Sequence, residues 1–490
     1  MATCLCNHPQ DTDEIQHILE VARDWALTNG MVFKPDTSPA GQSQAQCAPF
    51  ALFPSVVPKQ IFQQAVTCMK DFNTLMYRVA QNHDFLEQAL KSVIKVDPFV
   101  RGLWDIYNQV REEGMAQPIS LDLFRNDFMM NTTDKKNITS AGIPPSSALQ
   151  LRQIEFNTIA ASFGGLIGAA THLHRYTLDL AGKPYTSSEM PDNDPARGFA
   201  AGMVKAWELY GNPDAVILFL VSGIESNIID QRWLEFKVHQ QNSKIRVIRG
   251  TLLDVHAKGS LSDDKKFILD KSEVAVVYLR TGYGEDSYTS DKEWSARLMM
   301  ERSRAVKCPT VRSQLSGCKK VQQELARSGA VERFVENAEA VKSIRDTFAG
   351  LYSLDVGTEG DDAVKLAISS PEKYVLKPQR EGGGHNVYGE EMKKLLEEIG
   401  ITKEREKFIL MERIFPLPEK NYLIKSGIPL TLVDTVSEMG IYGVHIGNGD
   451  NEILNNQCGH MLRTKMEGTD EGGIVVGFAV LDTPYIVDQE

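Results

Sequence analysis

Three consecutive glycines close the stretch LKPQREGGGHN, Leu376 to Asn386, directly behind a lysine, an arginine and a glutamate. A glycine run costs chain entropy and packs nothing, so a folded chain uses one where the backbone must take unusual angles or approach a ligand closely. The run follows a strand-like segment, KYVLK, and carries Lys377, Arg380 and Glu381. Backbone N–H groups flanked by cations suit a phosphate cover. A carboxylate beside them is a hard oxygen ligand for magnesium, which binds phosphates through one or two side chains. A solvated surface turn is the competing reading of the same composition. Neither GxxxxGKS/T nor GxGxxG occurs, so this is not a P-loop or a dinucleotide fingerprint.

A second candidate is IEFN, Ile154 to Asn157. In a strand, Glu155 and Asn157 project from one face, Ile154 and Phe156 from the other. Two oxygen ligands then point together, and with Glu381 they form a three-residue magnesium site, although chance alternation gives the same pattern. Three arginines sit in or beside apolar strand-like stretches: Arg125 in LFRND, Arg280 in LRTGY and Arg463 in HMLRTK. The guanidinium fork matches a carboxylate, so together they suit a substrate with several carboxylates. Taken singly, each reads first as half of a structural salt bridge. Another glycine-flanked loop, GTDEGGIVVG, follows Lys465 and Met466. His172 and His174, in THLHR, are spaced like alternating strand or loop residues and read as structural. No nucleophile elbow, HExxH or activated Cys or Ser is evident. That silence fits ATP-driven bond formation, in which a phosphorylated substrate needs no protein nucleophile.

These residues need elements to hold them. The first hundred or so positions carry helical periodicity, as in DEIQHILEVARDWAL and DFLEQALKSVIKV, with a proline-rich break at APFALFPSVVP. From Ile119, ISLDLFRNDFMM and ALQLRQIEFNTIAASFGG are strand-like, separated by a polar loop. Residues 214–284 suggest a doubly wound unit: strands AVILFLV, KIRVIRG and EVAVVYLR with helix IIDQRWLEFKVHQQ. Continuous apolar runs suit parallel strands buried on both faces. Ligands of such sheets sit at the carboxyl ends of the strands, occupied here by SGIESN and RTGY. Next come the helices EWSARLMMERSRAVK and KKVQQELARSG, a strand-turn-helix-strand unit from KYVLK to KFILMERI, a short hairpin-like region LTLVDTVSEMGIYGVHIG, and a terminal apolar strand GGIVVGFAVLD.

Composition narrows the function classes. A chain of 490 residues with 42% hydrophobic content buries large cores and suggests two or three structural units. With 53 basic against 65 acidic residues, its net charge of −12 gives no general attraction to nucleic acid or anionic membranes. The longest apolar run, Ala215 to Val221, is far too short to span a bilayer, and the amino terminus lacks an export pattern, so a cytoplasmic protein is expected. Seven scattered cysteines, including Cys4 and Cys6, suggest neither a disulfide framework nor a zinc site. Sequons at Asn131 and Asn137 mark an exposed loop.

The segments QIEFNTIAASFGGL, AWELYG, LKPQREGGGHNVYGEE, SEMG, GHMLRTK and DEGGIVVGFAVLD resemble, in that order, the eukaryotic-type glutathione synthetases. The resemblance runs from about APFALFPS to the carboxyl terminus. It implies an α/β chain of ATP-grasp fold with an amino-terminal helical layer, a doubly wound parallel-sheet substrate domain, a glycine-rich lid and a homodimeric assembly. The implied divisions are residues 1–213, the helical layer and first part of the ATP-grasp body; 214–315, the substrate domain; and 316–490, the rest of the body with a lid at about 343–425. The implied reaction condenses γ-glutamylcysteine with glycine, using ATP and Mg2+ and passing through an acylphosphate.

By the same resemblance Glu155, Asn157 and Glu381 hold magnesium. Nucleotide contacts are implied for Glu155, Lys319, Lys377, Gln379, Glu381, Gly382, Gly383, Gly384, His385, Asn386 and Tyr388. They are also implied for Met411, Glu412, Arg413, Ile414, Glu438, Lys465 and Glu471. The substrate positions are Arg125, Ile159, Ala160, Ala161, Ser162, Glu225, Ser226, Asn227, Gln231, Arg280, Thr281, Gly282, Tyr283, Arg463, Ile474 and Val475, with Arg125 and Arg463 in catalytic roles. The chain departs from the family pattern at IAAS, which lacks one hydroxyl, at Glu471 in place of Asp, and at GGIVVG, where smaller Val-Ala-Ala residues are expected. One methylene in a pocket shifts discrimination by about 1–3 kcal/mol, so added bulk there bears on the acceptor amino acid. Two alternatives follow: a homoglutathione-type ligase using another small amino acid, and a relative that binds nucleotide or peptide without turnover.

Overall fold

The computed structural model describes residues 12–34, 45–132, 148–379 and 384–488. Its largest sheet carries most of the candidate residues. The seven strands run in the order Glu419–Ile424, Phe50–Ala51, Val480–Asp482, Asn451–Met466, Leu432–Asn448, Ile119–Thr132 and Leu149–Asn157. Glu419–Ile424 also pairs back onto Leu432–Asn448, which closes a ring of pairings. All partners are antiparallel except Val480–Asp482 with Phe50–Ala51.

A second sheet has a parallel core. Val216–Leu220, buried at every residue, lies between Val247–Gly250 and Ser272–Leu279, and Val306–Cys308 adds in parallel beyond. Phe267–Leu269 and Gly259–Leu261 extend it with antiparallel strands. The third sheet is antiparallel, in the order Leu351–Ser353, Phe408–Glu412, Tyr374–Pro378, Val387–Tyr388. Helices Thr358–Ser369 and Gly389–Ile399 join it in a separate small core containing Leu354, Ala363, Leu376, Met392 and Leu410.

The apolar strands of the parallel sheet and the strand-turn-helix-strand unit lie where periodicity places them. Other segments differ. LTLVDTVSEMGIYGVHIG is not a short hairpin but one strand of 17 residues, whose hairpin partner is Asn451–Met466. It is buried from Thr435 to Gly447, so no solvent face imposes a polar alternation on its sequence. In GGIVVGFAVLD only Val480–Asp482 is extended. The Gly477 N–H bonds back to the Ile474 carbonyl at 3.0 Å, and Gly477 adopts φ +87°, so the apolar residues before it form a turn.

The proline-rich break contributes the strands Phe50–Ala51 and Ser55–Pro58. His172 and His174 lie on the helix Gly164–Leu180 rather than on a strand or loop. His174 is buried between Thr483 Oγ1 (2.6 Å) and the Ala51 carbonyl (2.7 Å), a structural role. Asn131 ends a strand and accepts from the Phe415 N–H at 3.0 Å, so it is no exposed loop residue. Asn137, Cys4 and Cys6 lie outside the described residues. Among the described residues no helix is long and apolar enough to cross a membrane.

Candidate active site

A cleft of about 660 Å³ separates the antiparallel four-stranded sheet from the seven-stranded one. Val375, Lys377, Tyr388 and Met411 face it from the first, and Ile154, Glu155, Glu438, Arg463 and Lys465 from the second. Asp470 to Gly473 form part of its rim. The Met411 end, with Ile414, Phe415 and Pro416, is apolar, and the opposite end is charged.

A β-bulge shapes the charged end. The register passes from Asp127 opposite Glu155 to Phe128 opposite Gln153, which leaves Ile154 as the extra residue. A bulge re-aims side chains and leaves its extra residue out of the ladder. Consecutive Ile154 and Glu155 therefore both line the cleft, where simple alternation in IEFN would put them on opposite faces. The Ile154 carbonyl accepts from Lys377 Nζ at 2.8 Å, and Lys319 Nζ lies 3.0 Å from Glu155 Oε2.

The centre of the network is Asp127, a residue that sequence reasoning missed. Its buried carboxylate accepts from Arg125 Nε (2.6 Å) and Nη2 (2.7 Å), from Arg463 Nη2 (2.9 Å) and from Asn157 Nδ2 (2.9 Å). The signal was present in LFRND, where Arg125 and Asp127 are two apart and share a strand face. Arg463 also meets Glu438 at 2.8 Å, and Glu438 meets Lys465 at 3.1 Å. The glycine of SEMG makes room for this: a Cβ on Gly440 would fall 2.9 Å from Asp127 Oδ1 and 3.0 Å from Arg125 Cδ.

In the buried ion-pair network that reaches the cleft through Glu155, Lys377, Glu438, Arg463 and Lys465, the cations Arg125, Arg463, Lys465, Lys319 and Lys377 outnumber Asp127, Glu438 and Glu155, a local surplus that favours an anionic group there. Burial works to raise the Glu155 pKa, but Lys319, Lys377 and Arg463 outweigh it and hold the carboxyl well below its usual range. Burial pushes Lys377 down to about 8, with Glu155 acting against that fall. Burial opposes the charge on Arg125, yet Asp127 more than compensates and its pKa is raised.

The Asn157 amide nitrogen is committed to Asp127 and to the Arg125 carbonyl (3.3 Å), leaving its oxygen as the donor atom for a cation. Glu155 and Asn157 thus offer hard oxygen ligands of the kind magnesium takes. The described residues contain no cluster of three or more His, Cys, Asp or Glu suited to a metal. Glu381, the third candidate, lies outside the described residues together with Arg380, Gly382 and Gly383.

The Gly384 and Asn386 N–H groups donate to Glu471 at 2.7 and 3.3 Å, and Tyr388 OH donates to the Asp470 carbonyl at 3.2 Å. His385 is exposed. Arg413 pairs with Asp470 at 2.6 Å, and Glu412, exposed, accepts from Tyr352 OH at 2.7 Å. The Gln379 side chain accepts from the Lys320 N–H at 2.9 Å.

Substrate candidates from the parallel sheet converge on one loop. Arg280 donates to the Ala160 carbonyl and, at 3.0 Å, to Ser162 Oγ. Tyr442 OH donates to the Ser162 carbonyl at 2.7 Å, and Asp230 accepts the Phe163 N–H at 2.7 Å. Ile159 and Ala161 are core residues. Thr281 lies 3.2 Å from Ser222 Oγ, joining the two strand ends, and Gln314 Nε2 donates to the Gly282 carbonyl at 2.8 Å. Tyr283 shares a small cavity with Lys319 and Gln379, which links this group to the cleft. Glu225 accepts from Gln231, the Ser226 carbonyl accepts from the Lys34 N–H, and Asn227 is buried. Ile474 is buried, whereas Val475 and Val476 are 50% and 60% exposed beyond the cleft's rim.

A family model described as "Eukaryotic glutathione synthase, ATP binding domain" matches residues 12–486. The chain is 46% identical to a glutathione synthetase of Xenopus laevis, over 97% of this chain and 98% of that one. It is 44% identical to one of Homo sapiens, over 99% and 100%. A chloroplastic glutathione synthetase of Arabidopsis thaliana is 37% identical, over 97% of this chain and 86% of the relative. Among solved structures, a glutathione synthetase-like effector of Globodera pallida in its apo form superposes with a TM-score of 0.77 at 25% identity, covering 98% of each chain.

Proposed function

The chain belongs to the eukaryotic glutathione synthetase family and carries out ATP-dependent synthesis of glutathione; within that activity, we propose that it joins γ-glutamylcysteine to glycine in a cleft of ATP-grasp type. The observation that carries this reading is the polarity of the cleft. Its apolar end around Met411 suits an adenine base, and its end bearing Lys377, Lys465 and Arg463 suits phosphate and carboxylate groups.

Lys319 and Lys377 oppose the charge of the triphosphate while a cysteinyl carboxylate oxygen attacks the γ-phosphorus and ADP departs. The glycine amine then attacks the acyl carbon. As the C–N bond forms, the amine gives up a proton and the C–O bond to phosphate breaks. Arg125 and Arg463, held in register by Asp127, grip the substrate carboxylates, and Arg463 faces the oxyanion of the tetrahedral intermediate. Catalysis is therefore positioning and charge neutralisation, with no protein nucleophile. Glu155 and Asn157, with Glu381, would hold magnesium, which would supply further neutralisation of phosphate charge. The third sheet and its helices, residues 351–412, act as the lid, since Glu419–Ile424 belongs to the seven-stranded sheet, and the working unit is a cytoplasmic homodimer.

The test is phosphate release from ATP with γ-glutamylcysteine, comparing glycine, serine, alanine and β-alanine, with product mass confirmed. A strong glycine preference is expected. Preference for another acceptor would make Val475 and Val476 marks of a related ligase, and no release with any acceptor would overturn the reading.

A further inference from the structure

Glu225 sits in the loop that follows the parallel strand Val216–Leu220. Its Oε1 accepts the Ser222 N–H at 2.8 Å and its Oε2 accepts Gln231 Nε2 at 2.7 Å. A glutamine amide is nearly symmetric in shape, and either end can face a neighbour. Here the choice is made from behind. Arg249, on the adjacent parallel strand Val247–Gly250, donates through Nη2 to Gln231 Oε1 at 2.5 Å. Its Nη1 is paired with Glu235, one turn further along the helix that carries Gln231, also at 2.5 Å. With the carbonyl end held by a cation, only the amino end of Gln231 can reach Glu225. Both terminal nitrogens of Arg249 bond to side chains of the helix that carries Gln231, so its fork is anchored on that helix. The chain of bonds opens on a cavity of about 400 Å³ lined by Ser222, Glu225, Arg249 and Asp254. That cavity lies at the carboxyl ends of two parallel strands, the usual ligand position in such sheets.

We propose that Arg249 is a positioning residue for the glutamyl end of the substrate, orienting Gln231 so that the Glu225 carboxylate is fixed to receive an ammonium group. The inference rests on the reading that γ-glutamylcysteine is the substrate and that Glu225 meets its free α-amino group. Removing Arg249 leaves the carbonyl end of Gln231 without its partner, so that Glu225 alone holds the amide and the side chain is free to swing away from it.

Steady-state kinetics of Arg249→Met, Arg249→Lys, Gln231→Leu, Glu225→Gln and the double variant Arg249→Met/Gln231→Leu test this. Arg249→Met should raise the KM for γ-glutamylcysteine about ten-fold, the scale of one hydrogen bond to a charged group, with kcat and the KM for ATP unchanged. Arg249→Lys should recover part of the loss, and the double variant should be no worse than Gln231→Leu alone, because the effect passes through Gln231. If Glu225→Gln raises that KM while Arg249→Met does not, or if Arg249→Met raises every KM together with a lowered Tm, Arg249 is structural only. If Glu225→Gln leaves the KM unchanged, Glu225 does not meet the substrate, and both that reading and the role of Arg249 fall.

Discussion

At the scale of single residues, the site depends on a carboxylate that is not itself a ligand candidate. Asp127 accepts from Arg125, Arg463 and Asn157. Truncating one partner of a buried, hydrogen-bonded charge pair costs about 2–5 kcal/mol, much of it from the charge left unpaired. Asp127→Asn keeps the shape but removes the charge that holds two guanidinium groups together. It should lower kcat/KM for γ-glutamylcysteine by about 10² or more, with a smaller effect on the KM for ATP, whose proposed contacts lie with the lysines. Steady-state rates within about two-fold of wild type would show that the arginines are placed without it. The candidate ligands were legible because their types announce chemistry: a carboxylate near a glycine run, arginines in apolar strands. Asp127 was harder to see, because Arg125 two residues away is the one local sign of its role, and its other donors, Asn157 and Arg463, are distant in sequence. The bulge at Ile154 was equally hidden, since nothing in IEFN distinguishes a bulged strand from a regular one.

At the scale of elements, the third sheet is the least anchored part of the site. Its core holds seven fully buried apolar residues, Leu354, Ala363, Ala367, Leu376, Met392, Leu396 and Leu410. The two cores beneath the other sheets are far larger. Regions with few buried apolar contacts open at low free energy, and moving elements are drawn from them. The contacts across the cleft mouth are also few and polar: Gly384 and Asn386 to Glu471, Tyr388 to Asp470, and Arg413 to Asp470. Residues 351–412 should therefore gain protection in hydrogen exchange when ATP and γ-glutamylcysteine are added together. Unchanged protection would mean a sheet already closed or unable to close. Two strands of this unit, Tyr374–Pro378 and Phe408–Glu412, could be read from the sequence because each is a short apolar run bounded by polar residues. Leu432–Asn448 could not, because burial on both faces removes the alternation that marks a strand. The apolar run after Gly473 misled for the opposite reason: its hydrophobicity suggested a strand, while the glycines around it bend the backbone into a turn.

At the scale of the whole molecule, distant parts of the chain meet in one buried polar knot. Asp482 accepts from Ser55 Oγ and Thr464 Oγ1, each at 2.5 Å, and Glu419 accepts from the Val56 N–H at 3.0 Å. His174 stands 3.8 Å from Asp482. Local patterns cannot show such a knot, because its members are separated by hundreds of residues and only the closed ring of strands joins them. Burial pushes Glu419 up to about 8 and Asp482 up to about 7, and pushes His174 down to about 4. The signs differ. An unfolded carboxyl titrates near 4, so between pH 4 and 8 the folded chain keeps protons that the unfolded chain has released, and stability falls as pH rises. His174 acts oppositely, but only between its folded value of about 4 and its unfolded value near 6.5. Above pH 6.5 the carboxyls act without that opposition, and Glu419, with the higher value, carries the effect up to about pH 8. Over that window a single such group removes about 2 kcal/mol of stability. The wild-type Tm should accordingly drop between pH 6.5 and 8. Glu419→Gln, which can still accept from Val56 but carries no proton to lose, should flatten the drop and leave the variant the more stable of the two at pH 8. Parallel Tm profiles for the two proteins across this range would show that Glu419 is already ionised at pH 6.5 and that the knot is wetter than its burial implies.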